Sequence, residues 1–247
     1  MHAVILSAGQ GKRLLPHTAE RPKCLLPLAG RSILEWQLRA LAAAGVSGAT
    51  VVTGFAAGLV EAEAATLAGP LGLTVGTRFN PFFAVADNLG SCFMARDLLR
   101  GDVLLLNGDT VFEPEVPRRV LAAPDAPVAV TIDRKSAYDE DDMKVSLSGE
   151  RVTAIGKTLS ATATQAESIG LLRFNAEGSA AFVAGAEAAL RRPDGLHRWY
   201  LSVVDALAGQ GLVRANSIEG LGWSEVDFPQ DIPRATRLAE GWIGGTT

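Results

Sequence analysis

The chain has 247 residues and a mass of 25.9 kDa, enough for one sizeable hydrophobic core. Its formal net charge of −4 and its pI of about 5.5, with basic residues spread along the sequence, argue against a nucleic-acid surface or a basic membrane patch. Its two cysteines suggest neither a disulfide framework nor a zinc site, and no apolar run approaches the roughly 18 residues of a membrane span. We therefore expect a cytoplasmic protein without a membrane or nucleic-acid partner.

Strand and helix patterns alternate through the first half of the chain. A capping box at Ser32 and Glu35 predicts the start of the first helix, and Gly45 predicts its end. This alternation is typical of a parallel sheet with helices on its faces. The predicted strands lie at residues 2–6, 50–53, 73–75 and 103–109, and the predicted helices at 33–44, 56–67 and about 90–100.

The pattern changes after Pro114, where short strands follow one another and indicate a mixed or antiparallel extension of the sheet. These strands lie at residues 128–132, 143–147, 151–155 and 168–174. Helices at 176–191 and 199–208, strands at 212–216 and 223–227, and a helix that begins at Pro229 complete the chain. We predict an α/β fold in a single domain, residues 1–247, with a first part at about 1–112 and a second at about 113–247.

A glycine-rich loop follows the first predicted strand. It runs from Leu6 to Gly11 and is followed by the cations Lys12 and Arg13 and, further along the chain, by Lys23. Glycines let backbone N–H groups approach an anion, and cations neutralise its charge, so the stretch predicts a phosphate site.

A dinucleotide-dependent oxidoreductase is a poorer interpretation of this loop. The third glycine of its fingerprint would fall at Leu14, and the second predicted strand ends in Thr53 rather than in an acid that could bind a ribose.

The loop belongs to a longer string, Gly9-x-Gly11-x-Arg13-Leu14-x-Pro16-x-Thr18, followed by Pro22-Lys23-x-Leu25-x-Pro27. The string resembles the signature of the sugar-nucleotide pyrophosphorylase superfamily, whose members couple a nucleoside triphosphate to a phosphorylated small molecule. The resemblance implies a three-layer α/β/α nucleotidyltransferase fold with a mostly parallel central sheet and a small mixed-strand insertion. It also implies that Arg13 and Lys23 are catalytic residues that bind the triphosphate. The other nucleotide-binding residues that it implies in the loop are Leu6, Ala8, Gly9, Gln10, Gly11 and Lys12, the last of which stands where the family usually carries Ser or Thr.

Two aspartates are candidate metal ligands. Asp109 is the last residue of a predicted buried strand and should share the crevice at the carboxyl edge of the sheet with the glycine-rich loop. Asp109 and Asp227 both resemble family positions, and paired carboxylates suit Mg²⁺, which prefers hard oxygen ligands and shares its shell with phosphates and water. We predict Mg²⁺ as the cofactor, with a helix N-cap as the alternative role for Asp227.

Later parts of the chain resemble cytidylyltransferases that act on phosphocholine and similar short phosphates or phosphonates. Asn88 and Ser91, in the segment 87–91, are expected at the nucleotide, with turn or helix-cap roles as the alternative. The acceptor-binding residues that the resemblance implies are Lys144, Lys157 and Glu167.

Other conspicuous residues have ordinary interpretations. The acids at 139–142 have the character of a solvated loop. Trp199, Tyr200 and Trp223 could form an aromatic cage for a quaternary ammonium, but packing is the preferred interpretation.

The resemblance implies a Mg²⁺-dependent cytidylyltransferase that joins CMP from CTP to a small acceptor, such as phosphocholine or 2-aminoethylphosphonate, and releases pyrophosphate. The alternatives are a sugar-1-phosphate nucleotidyltransferase that uses UTP or dTTP, and a non-catalytic nucleotide-sensing module. The sequence leaves the oligomeric state open, and a homodimer is compatible with it.

Overall fold

A nine-stranded sheet forms the centre of the fold in the computed structural model, which describes residues 1–244. The strands are β1 (His2–Leu6), β2 (Pro27–Leu28), β3 (Arg31–Ser32), β4 (Gly48–Thr53), β5 (Thr74–Phe79), β6 (Val103–Asn107), β7 (Thr110–Phe112), β8 (Val128–Asp133), β9 (Lys144–Ser148), β10 (Arg151–Gly156), β11 (Ala166–Phe174), β12 (Val213–Ser217) and β13 (Trp223–Glu225). The helices are α1 (Ile33–Ala43), α2 (Ala57–Leu71), α3 (Asn88–Met94), α4 (Glu115–Ala122), α5 (Ala176–Leu190), α6 (Leu201–Gly209) and α7 (Asp231–Gly244). The large sheet has the order β5-β4-β1-β6-β11-β8-β12-β10-β9, and β13-β7 and β2-β3 form two small sheets.

The parallel part of the large sheet comprises β5, β4, β1 and β6. Leu6, the last residue of β1, pairs with Asn107, the last residue of β6. The loops that follow these two strands therefore leave the sheet side by side, at the edge where open parallel sheets bind their ligands. This register brings the glycine-rich loop next to Asp109.

The second half of the chain extends the same sheet with mixed pairing, as predicted. β11 is antiparallel to both β6 and β8, whereas β12 is parallel to β8. β9 pairs with β10 and also returns to the first residues of β11, where Glu167 lies opposite Lys144. Strands β11, β8, β12, β10 and β9 therefore curve round on themselves at this end of the sheet.

Helices cover both faces of the sheet and produce the predicted three layers. Val4 of β1 packs into an apolar cluster with residues of α3, α5 and α6. Its neighbours Ala3 and Ile5 point to the opposite face and pack with residues of α1, α2 and α4. The α/β/α architecture is therefore confirmed. None of the helices within residues 1–244 is long and apolar enough to cross a membrane.

The first helix agrees with its predicted cap. The backbone N–H of Glu35 donates to Ser32 Oγ at 3.0 Å, and Gly45, with φ of 85°, follows the end of α1. The Glu35 carboxylate, however, accepts from Arg39 Nε at 2.7 Å and does not complete a capping box. The N-cap alone therefore defines the start of α1.

Some predicted boundaries were wrong. α2 continues past its predicted end and includes Pro70, because its last turn packs Leu71 against the core and ends at Gly72 in the left-handed region. α3 begins and ends earlier than predicted, at residues 88–94. α7 begins at Asp231 rather than at Pro229, and α4, β7 and the β2-β3 pair were not predicted.

Candidate active site

A cleft of about 350 Å³ opens at the carboxyl ends of β1 and β6. Side chains and backbone from both halves of the chain line it. Its lining residues are Leu6, Ser7, Gly9, Gly11, Arg13, Lys23, Cys24, Asp87, Asn88, Asn107, Gly108, Asp109 and Asp227. The predicted catalytic cations, both predicted metal ligands and three of the predicted loop residues thus meet in one place.

The glycine-rich loop has a defined conformation. Gly11 has φ of 77° and lies so close to Lys23 that a Cβ at this position would be 2.9 Å from Lys23 Cβ. Thr18 Oγ1 donates to the carbonyl oxygen of Gly11 at 2.8 Å, and Gln10 Nε2 donates to the carbonyl oxygen of Thr18 at 3.3 Å. Glycine is therefore required at position 11 for both its backbone angle and its small volume.

The C-terminal part of the chain reaches the cleft through β13 and α7. β13 pairs with β7, and the N–H of Val226 donates to the carbonyl oxygen of Asp109 at 3.0 Å. Val226 also packs in an apolar cluster with Leu14 of the first loop and Ala235 of α7. The N–H of Asp227 then donates to the Asp231 carboxylate at 2.9 Å, which holds Asp227 beside Asp109.

Lys23 lies between the two predicted metal ligands. Its Nζ is 2.9 Å from Asp109 Oδ2 and also contacts Asp227 Oδ1. The Lys23 side chain is only 12% exposed. Burial by itself would lower the pKa of Lys23, but the charges of Asp109 and Asp227 outweigh it, so that the pKa is raised. The two carboxylates therefore already share one cation.

Arg13 and Lys157 extend this arrangement. Arg13 Nη2 is 2.7 Å from Asp227 Oδ2, and Arg13 Nη1 is 2.8 Å from Asp141 Oδ2. Lys157 Nζ is 3.0 Å from Asp141 Oδ1. Six side chains of alternating charge thus follow one another, and we name this set the charge row: Lys157, Asp141, Arg13, Asp227, Lys23 and Asp109. The last four line the cleft, whereas Asp141 and Lys157 lie outside its lining.

The other two predicted acceptor-binding residues lie beside the charge row. Lys144 is buried, and its Nζ donates to the carbonyl oxygen of Lys157 at 2.9 Å. Glu167 is also buried and forms an ion pair with Lys135 Nζ at 2.9 Å. Burial and the neighbouring Asp142 raise the pKa of Glu167 to about 7, although Lys135 opposes the shift. Of the three predicted residues, Lys157 alone belongs to the charge row.

The remaining predicted nucleotide-binding residues differ in exposure. Asn88 lines the cleft, and its Oδ1 accepts from the N–H of Tyr200 at 2.9 Å. Ser91 lies inside α3 rather than at its cap, is 5% exposed and accepts from Asn80 Nδ2 at 3.0 Å, outside the cleft lining. The carbonyl oxygen of Ala8 accepts from the N–H of Phe55 at 2.9 Å. Lys12 is exposed, and within residues 1–243 its side chain has no hydrogen bond or ion pair.

Several cleft residues were not predicted as site residues. Asn107 Oδ1 accepts from the hydroxyl of the fully buried Tyr200 at 3.1 Å. Gly108 lies so close to Ser7 Oγ and to the carbonyl oxygen of Leu6 that a Cβ would overlap both. Burial raises the pKa of the Cys24 thiol to about 12, which makes it an inert lining group. The run Asn107-Gly108-Asp109 at the end of a buried strand could have indicated Asn107 and Gly108.

The acids at 139–142 are not simply solvated, which corrects the sequence-based interpretation. Asp141 belongs to the charge row, and Asp142 Oδ1 is 2.7 Å from Lys135 Nζ. A run of like charges in a sequence carries no information about distant partners, so the contacts of Asp141 had no sequence signal.

The conspicuous aromatic residues do not form a cage: Tyr200 is buried, and Trp223 Nε1 donates to Asp133 at 2.7 Å.

The carboxylates of Asp109 and Asp227 are the candidate donor set for Mg²⁺. No group of three metal-ligating side chains converges within the part of the chain that the structure describes. Glu225 lies close by, and although the residue is exposed, the protein around its carboxyl group and the charges of Asp109 and Asp227 raise its pKa to about 8. Two hard carboxylates that already share a cation suit Mg²⁺, which takes one or two protein carboxylates and completes its shell with phosphates and water. The residues therefore fit this metal.

A three-layer α/β fold with a glycine-rich loop, two basic side chains and two carboxylates at the carboxyl edge of its sheet is typical of nucleotidyltransferases. The family model described as the MobA-like NTP transferase domain matches residues 3–139. The chain belongs to this family.

Individual relatives agree with this assignment. The chain is 36% identical over 243 residues to the CMP-5'-(3-aminopropyl)phosphonate synthase of Streptomyces rubellomurinus. This match covers 94% of the present chain and 37% of the synthase. It is also 30% identical over 246 residues to the bifunctional IPC transferase and DIPP synthase of Rubrobacter xylanophilus, and this match covers 97% of the present chain and 52% of that protein. The chain thus spans about a third to a half of the length of these relatives.

A solved structure shares the fold. The inositol-1-phosphate CTP transferase from T. maritima superposes with a TM-score of 0.79 at 18% identity, over 100% of this chain and 97% of that one. At this level of identity the likeness shows the fold, and with it the predicted nucleotidyltransferase architecture.

Proposed function

We propose that the chain transfers CMP from CTP to a phosphate or phosphonate oxygen of a small acceptor and releases pyrophosphate. The observation that carries this proposal is the meeting of Arg13 and Lys23 with Asp109 and Asp227 at the carboxyl ends of β1 and β6. Residues as distant as Lys23 and Asp227, 204 positions apart, are brought into direct contact there. This combination provides cations for a triphosphate and carboxylates for a metal in one cleft.

The proposed reaction requires no general base. An acceptor oxygen attacks the α-phosphorus, the bond from that phosphorus to the bridging oxygen breaks, and the electron pair leaves with pyrophosphate. The attacking oxygen of a phosphate or phosphonate is already ionised, so no proton has to be removed from it. Positioning and electrostatic stabilisation then account for the catalysis, as in other phosphoryl transfers.

Arg13 and Lys23 must exchange partners when the nucleotide binds. Both are paired with carboxylates, Arg13 with Asp227 and Lys23 with Asp109 and Asp227. Phosphate oxygens would replace these carboxylates, and the two released aspartates would then hold Mg²⁺. Bound there, Mg²⁺ supplies positive charge that offsets the negative charge on the phosphates.

We further propose that Gly9 and Gly11 direct backbone N–H groups towards the triphosphate and that Asn88 contacts the nucleotide. Lys157 would bind the acceptor phosphate, since it is the predicted acceptor residue in the charge row. Lys144 and Glu167, which lie opposite each other on β9 and β11 outside the cleft lining, would support Lys157 through the contact of Lys144 with the Lys157 carbonyl oxygen. One domain would contain both substrate sites, because the sheet continues without a break from the first part of the chain into the second.

The choice of CTP and of the acceptor class is supported by the names of the relatives. One is a synthase of a CMP-linked aminopropylphosphonate, and a protein of the same fold is named as a CTP transferase acting on inositol 1-phosphate. Both names combine a cytidine nucleotide with a small phosphorus-containing acceptor.

The test is a pyrophosphate-release screen of CTP, UTP, dTTP, ATP and GTP against phosphocholine, 2-aminoethylphosphonate, 3-aminopropylphosphonate, inositol 1-phosphate and glucose 1-phosphate. We expect release with CTP and at least one non-sugar acceptor. Asp109→Asn and Asp227→Asn should each reduce the rate by roughly 10²- to 10³-fold while the protein stays folded. Release only with UTP or dTTP and the sugar phosphate would favour the alternative enzyme. Nucleotide binding without any release would favour a sensing module.

A further inference from the structure

The loop between β8 and β9 has a defined structure around its acidic residues. Asp139 Oδ1 accepts from the backbone N–H groups of Asp141, at 2.8 Å, and of Asp142, at 3.1 Å. Asp142 Oδ2 in turn accepts from the N–H of Asp139 at 2.6 Å. Asp142 is also tied to Lys135, which pairs with the buried Glu167. Hydrogen bonds to its own carboxylates therefore hold the loop in one conformation, and Lys135 attaches it to Glu167 of β11.

This loop directs the Asp141 carboxylate between two cations from different parts of the chain. Oδ2 accepts from Arg13 Nη1 at 2.8 Å, and Oδ1 accepts from Lys157 Nζ at 3.0 Å. Arg13 belongs to the loop that follows β1, and Lys157 follows β10. One carboxylate therefore joins Arg13, proposed above to bind the nucleotide, to Lys157, proposed above to bind the acceptor.

Each of the two cations has a further contact on its other side. Arg13 contacts Asp227 at 2.7 Å and lies over the ring of Phe228 at 4.6 Å. Lys157 lies over the ring of Trp199 at 4.7 Å. The Asp227 contact is one that the nucleotide would replace, but the two ring contacts and Asp141 would stay, and together they define the separation of the two cations.

We infer that Asp141 is a positioning residue for nucleotidyl transfer, which holds Arg13 and Lys157 side by side so that the triphosphate and the acceptor phosphate bind next to each other. This inference rests on the proposed function. The attacking oxygen and the α-phosphorus have to approach to about 3–3.5 Å although both groups are anionic. Two cations held this close repel each other, and the carboxylate between them offsets the repulsion while it orients both, as outer-shell carboxylates do for metal ligands.

The test compares two variants that remove the same charge from the same loop, Asp141→Asn and Glu140→Gln. Glu140 is exposed, and in the described part of the chain its side chain has no hydrogen bond or ion pair. We expect Asp141→Asn to lower kcat about 10- to 100-fold at saturating concentrations of both substrates. Glu140→Gln should leave kcat within about twofold of the wild type, since a surface substitution without contacts has little effect.

A double-mutant cycle with Lys157→Met separates positioning from a merely structural role. If Asp141 acts through Lys157, Asp141→Asn should lower kcat by a much smaller factor in the Lys157→Met background than in the wild type. Fully additive losses would overturn the inference, as would equal kcat values for Asp141→Asn and Glu140→Gln.

A role as a competing anion predicts a different pattern, in which Asp141→Asn lowers both KM values and leaves kcat unchanged. That result would also overturn the inference. An inactive wild type would instead refute the proposed function, and the inference with it. Melting temperatures of all variants, which we expect to stay close to that of the wild type, exclude misfolding as the cause of a lowered kcat.

Discussion

Lys23 occupies the place between the two carboxylates that we propose as metal ligands, so its removal should increase the affinity of the protein for a divalent cation. Its ammonium contacts Asp109 Oδ2 at 2.9 Å and also Asp227 Oδ1. An ammonium and a metal ion cannot share this place. Without a nucleotide, the wild type should therefore bind Mn²⁺ weakly, because within residues 1–243 Lys23 pairs with no anion besides Asp109 and Asp227.

The size of the effect follows from the two contacts. A hydrogen bond to a charged group contributes about 1.5–3 kcal/mol. The lower value applies here because the side chains of Asp109 and Asp227 are 24% and 18% exposed. Two contacts then amount to about 3 kcal/mol, or roughly 100-fold in a binding constant. Since Arg13 continues to contact Asp227 in the variant, we expect Mn²⁺ to bind about 10- to 100-fold more tightly to Lys23→Met.

The assay is a calorimetric titration of Mn²⁺ into nucleotide-free protein. Lys12→Met is the matched control, because it removes the same charge from a nearby exposed position without a partner in the described chain. A thermal unfolding series provides a second readout. Lys23→Met leaves two carboxylates without their ammonium and should melt at a lower temperature than the wild type. Added Mn²⁺ should raise the melting temperature of Lys23→Met by more than that of the wild type.

Two results would refute this reasoning. The first is equal Mn²⁺ affinity of Lys23→Met and the wild type, provided that the circular dichroism spectrum shows a folded variant. The second is an equal gain in Lys12→Met, which would assign the effect to overall charge rather than to the place that Lys23 occupies.

Two further predictions concern the stability of the fold. Because burial and Asp142 raise the pKa of Glu167 from 4.5 to about 7, the folded protein binds a proton in this pH range that the unfolded chain does not, and the free energy of unfolding should fall as the pH rises through it. Urea denaturation at several pH values should show a smaller fall for Glu167→Gln, and an unchanged slope would contradict the assignment. Tyr200→Phe removes the donor to Asn107 Oδ1 in a fully buried place and should lower the free energy of unfolding by about 1–3 kcal/mol. No measurable change in the same assay would mean that Asn107 has found another donor.

Much of the fold could be predicted because its signals are local. The apolar run of β1, the cap at Ser32 and the short strands of the second half each depend on neighbours within a few residues. The glycine-rich loop was recognisable for the same reason, since Gly9, Gly11 and Arg13 stand close together in the chain.

The boundaries that were wrong depend on contacts that a local pattern does not contain. Pro70 would normally end a helix, but the packing of Leu71 keeps it in the last turn of α2. The start of α7 at Asp231 is determined by the N–H groups of Asp227 and Phe228, which donate to the Asp231 carboxylate at 2.9 and 2.7 Å. In both cases the tertiary contact outweighs the propensity of a single residue.

The sequence by itself determined the residue types of the site, namely a glycine-rich loop, two cations and two carboxylates, together with the α/β class that places them at one edge of a sheet. Only the tertiary structure decided how they pair. Arg13 and Asp141 are 128 positions apart, and Lys23 and Asp227 are 204 apart. Ion pairs at such separations depend on how strands and helices pack, because charge has no periodicity along the chain. For this reason Lys23, Asp109 and Asp227 are recognisable in the sequence only one by one, whereas in the structure Lys23 contacts both carboxylates and Asp141 joins Arg13 to Lys157.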